Sequence, residues 1–470
     1  MNFPNEMLLE VFCALPHADA VAAGFASRRF RTLAKPFIFP KLRVSFYTFD
    51  MESDTLRLPA PEETHDTLQK LAFYASRDIA PFLRGIKVNA ALHAQHPDAA
   101  RVPDGEAHVI ADAFFAALPK FIGLRTINVH HAIFTKTALE SLAMVVHRSI
   151  TVSLYGCVIA PSLRLDCPLR IGTLEMYGKQ LGDVWLSLLD PAVLRELTVW
   201  GVTHFPRFGA VPLPVFHNLT KLSLELDWRK VEHDLPILLQ AFPAVTELYL
   251  EGWNGVPARL QPPLHGPRAF PNVLKMGCPH HALAVLLPCT SLVSLDVGPC
   301  TPNELSRSLG MLGPNYVPRT IVNLEIYLIA EGDRFLLRSS LEYFPKLQSL
   351  ELIIIADIRG EWNDGAPEIN WMLEVVSELP DTLPATLVKL DFRYELSNAP
   401  DDIPGSVVGG VATAPSPREL HTLLLERCSS LTDVSVTAGT DTKALDYSLV
   451  WTQTGGFSEP QLEYQLSSSA

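Results

Sequence analysis

The sequence predicts an α/β protein in which a helical N-terminal segment precedes an irregular array of helix–turn–strand units that share one parallel sheet. One pattern, apolar-x-x-apolar-x-apolar, recurs eleven times between residues 81 and 436. From position 127 to position 350 its middle residue advances by 21 to 29 residues per copy. Helical segments that end in a turn come before several copies, as at residues 235–243. A period of this length is typical of stacked repeats in which neighbours bury each other's apolar faces.

The first 40 residues predict three short helices. Pro4 suits the first position of the first helix, where its missing N–H costs nothing, and Pro16 closes that helix. Asp19 is predicted to cap the second helix. Ser27 is predicted to cap a third helix, which Pro36 ends. The first helix carries an apolar stripe at helical spacing, formed by Met7, Leu8, Val11, Phe12 and Leu15.

The residue order of this segment resembles the F-box. The typed positions that carry the resemblance, with Phe3 where the family more often has Leu, are Pro4, Glu6, Met7, Leu8, Phe12, Leu15, Asp19, Ser27, Arg28, Arg29 and Phe30. The resemblance implies that the segment docks on the Skp adaptor, and through it on a cullin, within a ubiquitin ligase. The residues it implies for adaptor binding are Pro4, Met7, Leu8, Val11, Phe12 and Leu15. Some of these must instead pack inside the bundle, and the sequence does not divide them.

The repeated region resembles the leucine-rich-repeat family over residues 82–436. The resemblance implies a horseshoe-shaped solenoid with one parallel sheet that holds a protein target. The family's asparagine after the strand is absent, and Cys157, Cys300 and Cys428 take the matching position, where they are predicted to be buried. The last copy of the pattern is assigned to Leu420, Leu423 and Leu425.

The predicted domains are an F-box over residues 1–45, a linker or first cap over 46–80, the array over 81–436, and a cap strand with a loose tail over 437–470. A strand is expected at 42–49, a helix at 67–76 and the cap strand at 445–451. Trp362 and Trp371 flank a long insertion and either anchor a partner or cover the outer side of the array.

Residues between the apolar strand positions point away from the core, because successive side chains alternate. In the horseshoe they would line the concave face. The candidate target-binding residues there are Glu175, Glu196, Glu247, Tyr249, Asp296, Glu325, Glu351 and Asp391. The basic residues at these positions are Lys87, Lys221, Lys275 and Lys389, so acids outnumber bases by seven to four. We hypothesise that this face recognises a segment carrying Lys or Arg; the alternative is the solvated surface of an acidic protein.

Composition excludes several classes of function. The chain has 470 residues, of which 48% are hydrophobic and 19% charged, and its formal net charge is −13. This excess of acid argues against nucleic-acid and anionic-membrane partners. No apolar run approaches the roughly 20 residues that span a bilayer, and Glu6 and Glu10 lie where a signal peptide would be basic or apolar. We expect a soluble protein of the cytoplasm or nucleus that forms no homo-oligomer.

The reactive residue types predict no centre of chemistry. Seven cysteines without a CxxC pair fit a reducing compartment. The run Cys278, His280 and His281 lacks the spacing of a zinc site and is interpreted as a loop between repeats. No Gly-rich phosphate loop, GxSxG or HExxH sequence is present. We expect no metal, cofactor, catalytic residue or enzymatic activity. A binding scaffold without a ubiquitin role, and an enzyme with a site between repeats, stay open as alternatives.

Overall fold

The computed structural model describes residues 3–50, 55–88, 108–145, 150–159, 165–178, 182–201, 213–226, 228, 237–252, 270–287, 291–312, 319–330, 336–357, 367–397, 415–440 and 447–458. The chain divides into two compact units, Met1–Val245 and Thr246–Ala470, and each is described by itself. The described helices and strands make a mixed α/β fold with a large, mostly parallel sheet. None of these helices combines the length and the apolar character that crossing a bilayer requires.

The first unit begins with three helices that share a small core. They are α1 Asn5–Ala14, α2 His17–Ala26 and α3 Arg28–Ile38. Phe12 is buried between the helices together with the small residues Ala20 and Ala34. The Phe12 ring meets the Phe30 ring edge-on at 5.8 Å between centroids and stacks on Phe37 at 6.1 Å. Small residues on α2 and α3 therefore leave room for one aromatic side chain from α1.

The helix boundaries of this bundle confirm one sequence prediction and correct two. The Ser27 hydroxyl accepts a hydrogen bond from the Phe30 N–H at 3.1 Å, so Ser27 caps α3 as predicted. Asp19 does not cap α2, because that helix already begins at His17 after Pro16 and holds Asp19 in its first turn. Pro36 does not end α3, which continues to Ile38. Only the bond that the missing Pro36 N–H would make is lost, since the Phe39 N–H still closes the last turn on the Lys35 oxygen.

The rest of the first unit alternates short strands and helices. Its strands are β1 Lys41–Val44, β2 Thr48–Asp50, β3 Thr55–Arg57, β4 Gly85–Val88, β5 Thr126–His130, β6 Ile133–Phe134, β7 Thr151–Tyr155, β8 Val158–Ile159, β9 Thr173–Tyr177, β10 Glu196–Trp200 and β11 Lys221–Glu225. Its helices are α4 Pro61–Tyr74, α5 Val109–Ala117, α6 Lys136–Val145 and α7 Gly182–Leu188, with 3-10 turns at Ala80–Phe82 and Leu118–Lys120. A parallel sheet runs in the order β1-β4-β5-β7-β9-β10-β11. The pairs β2–β3 and β6–β8 stand apart from it.

The second unit continues the same arrangement. Its strands are β12 Glu247–Glu251, β13 Lys275–Cys278, β14 Ser294–Cys300, β15 Asn323–Ile329, β16 Ser349–Asp357, β17 Lys389–Ser397, β18 Asp433–Thr440, β19 Tyr447–Thr452 and β20 Gly456–Ser458. Its helices include Leu283–Leu286, Pro302–Leu312, Leu336–Leu341, Pro367–Thr382 and Pro417–Arg427, with a 3-10 turn at His280–Ala282. Strands β12 to β18 are parallel in chain order, and β19 and β20 add antiparallel.

The predicted apolar pattern coincides with strands in all but its last copy. Leu420, Leu423 and Leu425 lie in the helix Pro417–Arg427, so that strand assignment is wrong. Ser416 and Glu419 form a capping box at the start of this helix, and the proline follows at its first position. The strand comes later, at β18, where the buried residues Leu431, Val434 and Val436 carry the same pattern.

Other boundaries shift for local reasons. The strand expected at 42–49 splits into β1 and β2, because Phe46 and Tyr47 turn inward and Phe46 packs on the Phe114 ring at 5.3 Å. The helix expected at 67–76 begins earlier, at Pro61. The cap strand is β19, paired with β18. Trp362 and the tail after residue 458 lie outside the described residues, as does the side chain of Trp371.

Cys157, Cys300 and Cys428 are buried, as predicted. The Cys157 thiol donates to the Val129 oxygen at 3.3 Å, and the Cys428 thiol donates to the Pro384 oxygen at 3.3 Å. Burial raises the pKa of the Cys157 and Cys300 thiols to about 12, so both stay protonated at neutral pH. Cys428 differs from the prediction in its place, because it follows a helix instead of a strand.

Four rings form a row across the ends of β5, β7, β9 and β10, which we call the aromatic row: His130, Tyr155, Tyr177 and Trp200. The first three stack nearly parallel, with 4.3 Å between the centroids of each neighbouring pair. Trp200 tilts and donates its indole N–H to the Ser223 hydroxyl at 2.9 Å. At the carboxyl ends of these strands, each ring of the row therefore contacts the ring on the next strand.

Each of the last three rings is followed by a glycine with positive φ: Gly156 at +57°, Gly178 at +121° and Gly201 at +77°. A Cβ on Gly178 would lie 3.2 Å from the Gly156 nitrogen, and one on Gly201 would lie 3.1 Å from the Gly178 nitrogen. The backbones of neighbouring strands therefore come into close contact at these positions. Only glycine combines this conformation with this close approach.

We expect Gly178→Ala to lower the free energy of unfolding by about 2 kcal/mol, because it combines an unfavourable backbone conformation with a contact against Gly156. The measurement is chemical denaturation followed by circular dichroism. Gly298→Ala is the matched control, since a Cβ there meets its nearest atoms at an ordinary 3.8 Å. Equal losses in the two variants would contradict the close-contact argument.

Candidate interaction surfaces

The structure separates the residues predicted to bind the adaptor into inner and outer groups. Phe12 is buried in the bundle core, and Leu8 and Leu15 are half-buried against it. Met7 and Val11 are exposed, at 50% and 54%, and Pro4 is exposed at the start of α1. The bundle thus keeps its own core while its first helix shows apolar side chains outward.

Exposed apolar residues recur at intervals of four at the start of the chain. We call Phe3, Met7 and Val11 the α1 stripe; Met7 and Val11 are four apart on α1 and lie on one face, and Phe3 lies just before the helix. Arg29 fixes the approach to this helix, because its guanidinium donates to the Phe3 carbonyl oxygen and to the Asn5 side-chain oxygen. On α2, Phe25 is exposed as well, at 75%. Grouped apolar exposure of this kind is typical of a protein-binding surface.

The candidate target-binding residues of the first unit lie on neighbouring strands but in different rows. Glu175 sits on β9 in the row of Ser153, whose hydroxyl donates to it at 2.8 Å. Glu196 lies one row earlier, at the start of β10, in register with Lys221 of β11. These two carboxylates therefore do not form a cluster, since each is engaged with its own neighbours.

In the second unit the register aligns five of the six candidates. Tyr249 and Gly277 begin a row that continues through four consecutive strands as the acidic row: Asp296, Glu325, Glu351 and Asp391. Glu247 lies one row earlier, beside Lys275. Gly277 leaves room for its neighbours, since a Cβ there would lie 2.7 Å from the Tyr249 ring and 3.4 Å from an Asp296 carboxylate oxygen.

The carboxyl groups of the acidic row lie on strands about 4.8 Å apart, so each negative charge raises the free-energy cost of ionising its neighbours. Burial first, and then the Glu325 charge, raise the pKa of Asp296 to about 6. Burial and the charges of Glu325 and Asp391 also raise the pKa of Glu351. The Tyr327 hydroxyl donates to Glu325 at 2.9 Å and offsets part of this repulsion.

Arg393 is the main cation of this surface, and the sequence analysis missed it. Its guanidinium lies 2.9 Å from an Asp391 carboxylate oxygen and 3.4 Å from a Glu351 carboxylate oxygen. The sequence feature that could have identified Arg393 is its position two residues after Asp391 on the same strand, because this spacing puts both side chains on one face. Arg393 therefore lies at the β17 end of the acidic row, while Lys275 is the cation that acts on Asp296 and Glu325 from β13.

The run from Cys278 to His281, interpreted from the sequence as a loop between repeats, connects β13, which ends at Cys278, to the next helix. His280 begins a 3-10 turn that leads directly into the helix Leu283–Leu286. In the part of the chain that the structure describes, no group of three His, Cys, Asp or Glu side chains could hold a metal ion.

A cavity of about 300 Å³ in the first unit bears on the enzyme alternative. Its lining residues are Phe46, Tyr47, Leu58, Pro59, Pro61, Thr64, His108, Val109, Ile110 and Ala111. The Tyr47 hydroxyl lies 3.3 Å from Nδ1 of His108, and burial raises the pKa of Tyr47 far above its usual range. Thr64 already donates to the Pro59 oxygen. These lining residues include no carboxylate and no thiol, and Tyr47 with His108 is the hydrogen-bonded pair of titratable groups among them.

No model of a known protein family matches this chain, and no curated protein matches it.

We expect Asp296→Asn to stabilise the protein at pH 7 by up to about 1 kcal/mol, with allowance for solvent screening of a half-exposed carboxyl. The raised pKa means that ionising Asp296 costs the folded state free energy above about pH 6. Below the usual value of 3.8 the carboxyl is protonated in both states, and the gain disappears. Denaturant midpoints of parent and variant across this range measure the difference.

Asp391→Asn is the matched control in the same row. It replaces one of the two acceptor oxygens by an amide donor and removes the negative charge that pairs with Arg393, so it should lower stability at pH 7. A stabilising effect of both substitutions, or a gain for Asp296→Asn that persists at pH 3.5, would contradict this account.

Proposed function

We propose that this chain is the substrate-recognition subunit of an SCF-type cullin–RING ubiquitin ligase. Residues 1–45 act as an F-box that binds a Skp adaptor, and through it a cullin. Residues 81–436 act as a leucine-rich-repeat solenoid that holds a protein target, with 46–80 as linker or first cap and 437–470 as the closing cap. The working compartment is the cytoplasm, the nucleus or both.

The observation that carries the proposal is the α1 stripe beside a bundle that already has its own core. Met7 and Val11 are not needed to cover Phe12, and they are half exposed. Exposed apolar residues in a small helical bundle suit a partner with an apolar groove. The six positions named by the F-box resemblance then serve two tasks: Pro4, Met7 and Val11 contact the adaptor, while Leu8, Phe12 and Leu15 hold the helix in place.

The repeat assignment is supported by the order of the strands. In each unit, successive parallel strands lie side by side in chain order, as expected when one repeat stacks on the last. The asparagine typical of the family is absent after these strands, and in the first unit the glycines that follow the aromatic row occupy the strand ends instead. The target is held on the open face of the sheet.

In this mechanism the chain performs no chemistry and needs no cofactor. It holds a target near a ubiquitin-loaded enzyme, so that a bimolecular encounter becomes a local one at high effective concentration. The acidic row gives the expected character of the target segment. Asp296 and Glu325 favour a Lys or Arg side chain, because a cation there stabilises the ionised form of Asp296, whose pKa is raised by burial and then by the Glu325 charge.

We expect Met7→Asp with Val11→Asp to weaken binding to a Skp adaptor by about 100-fold or more, because charged groups replace apolar contacts. Co-purification and a titration with the adaptor measure this. Leu8 is unsuitable for the test, since it packs on the Phe12 cluster and a carboxylate there would damage folding. Met311→Asp with Leu423→Asp is the matched control on exposed apolar residues of the second unit.

Circular dichroism must show that both double variants stay folded. If the folded parent fails to bind the adaptor, the ubiquitin role falls and a non-catalytic interaction scaffold takes its place. If the control loses binding as strongly as the α1 variant, the α1 stripe is not the contact surface.

The character of the target can be tested without knowing its identity. We expect the full chain to retain Lys- and Arg-bearing members of a random peptide library, and Glu325→Gln with Glu351→Gln to reduce that enrichment several-fold. Glu342→Gln with Glu378→Gln is the control, because it removes two exposed carboxylates from outside the row. Enrichment that survives loss of the row would place target binding elsewhere.

A further inference from the structure

The first unit carries a concentration of positive charge that the proposed function does not use. Five exposed basic residues lie on, or directly before, its strands β1, β4 and β5; we call them the basic patch: Lys41, Arg43, Arg84, Lys87 and Arg125. The sequences of these strands contain no Asp or Glu. In a chain whose net charge is −13, such a group is a local reversal of sign.

The sheet register places these charges together. Arg43 and Lys87 are direct partners on neighbouring parallel strands, which lie about 4.8 Å apart. Lys41 is two residues before Arg43 and shares its face. Arg84 and Arg125 follow one another along the leading edge of the sheet, where the Arg125 N–H donates to the Arg84 oxygen at 2.8 Å.

The buried residues of the same strands fix the direction of this patch. Leu42 and Val44 alternate with Lys41 and Arg43, and they are almost completely buried. Because side chains alternate along a strand, Lys41 and Arg43, and Lys87 between the buried Ile86 and Val88, must point to the open face, whereas Arg84 and Arg125 lie at the leading edge just before their strands. The patch cannot turn inward without exposing the apolar core of β1.

No described carboxylate lies within ion-pair distance of these five residues. Arg84 donates to the Gly123 oxygen at 2.9 Å, which is a neutral acceptor. The Lys70 ammonium adds a further cation, because it donates to the Arg43 main-chain oxygen at 2.8 Å. The Lys87 charge also acts on His130 of the neighbouring strand β5. Burial and then this charge lower the pKa of His130 to about 4.

Like charges directly opposite one another on neighbouring strands are destabilising. Arg43 and Lys87 therefore cost the isolated fold some stability, and an anionic partner would reverse that effect. We propose that the basic patch is a docking surface for an acidic peptide segment of a partner protein, held by Asp and Glu carboxylates. The patch shares no residue with the acidic row or the α1 stripe, so it goes beyond the proposed function.

Charge complementarity favours a peptide over a nucleic acid as the occupant. A short acidic segment can place its carboxylates on five basic residues and leave the remaining surface alone. A nucleic acid continues its phosphate charge past the patch, where a protein of net charge −13 repels it.

The test is a titration of the purified full chain against a fluorescein-labelled 12-residue peptide of mixed Asp and Glu, read by fluorescence anisotropy. We expect saturable binding that weakens as salt rises. Arg43→Glu with Lys87→Glu should weaken it about 10-fold or more. Arg319→Glu with Lys346→Glu is the control; it makes the same change in net charge on exposed residues of the second unit and should shift the affinity less than about 2-fold.

Arg43→Gln with Lys87→Gln guards against misfolding, since it removes the charges without introducing like-sign repulsion toward the peptide, and it should also weaken binding. Absence of binding to the parent, or equal losses in the patch and control variants, would overturn the proposal. An oligonucleotide of equal charge that binds more tightly than the peptide, and depends on Arg43 and Lys87, would overturn it in favour of a nucleic-acid site. No adaptor takes part in this assay, so its outcome is independent of the ubiquitin role.

Discussion

The rest of the structure depends on the burial of two apolar residues per strand on one face of a parallel sheet. Leu174 and Met176 of β9 show the rule, since both are fully buried and are in register with buried partners on β7 and β10. A shift of one residue would expose both side chains, so burial fixes the register strongly. Everything on the open face then falls into rows. Within each row, the carboxylates, the rings or the basic groups are neighbours because burial of the apolar face fixes the strand register.

Much of the fold could be predicted from the sequence, because this burial leaves a readable pattern. The pattern failed at Leu420, Leu423 and Leu425, since the same leucine-rich run also contains Leu420 and Leu424, which are four apart and form the buried face of a helix. The decisive signals there were local: Ser416 and Glu419 make a capping box that starts a helix. At α3 the local signal was misleading instead. Pro36 predicted the end of the helix, but α3 continues to Ile38, and Phe37 in this last turn packs on Phe12.

The candidate surfaces were less predictable than the fold, for two physical reasons. Which apolar residues of α1 face outward depends on the size of the bundle core, and only burial separates Met7 from Leu8. Which charges become neighbours depends on strand register over long distances in the chain. The pairing of Arg43 with Lys87, and the approach of Arg393 to Glu351, bring together residues about 40 positions apart. A count of acids and bases cannot reveal such rows, because it carries no information on adjacency.

The glycines that follow the aromatic row have a consequence for how such a chain changes over evolution. Because Gly178 touches the backbone of Gly156, and Gly201 that of Gly178, the strand ends of successive repeats tolerate neither added side chains nor altered spacing across the sheet. The segments between strands are under no such restriction and already differ in length from repeat to repeat. Distant relatives would then share little overall identity but keep an aromatic residue followed by glycine at the ends of the strands that correspond to β7, β9 and β10. That pair, repeated at variable intervals, is the signature by which they could be recognised.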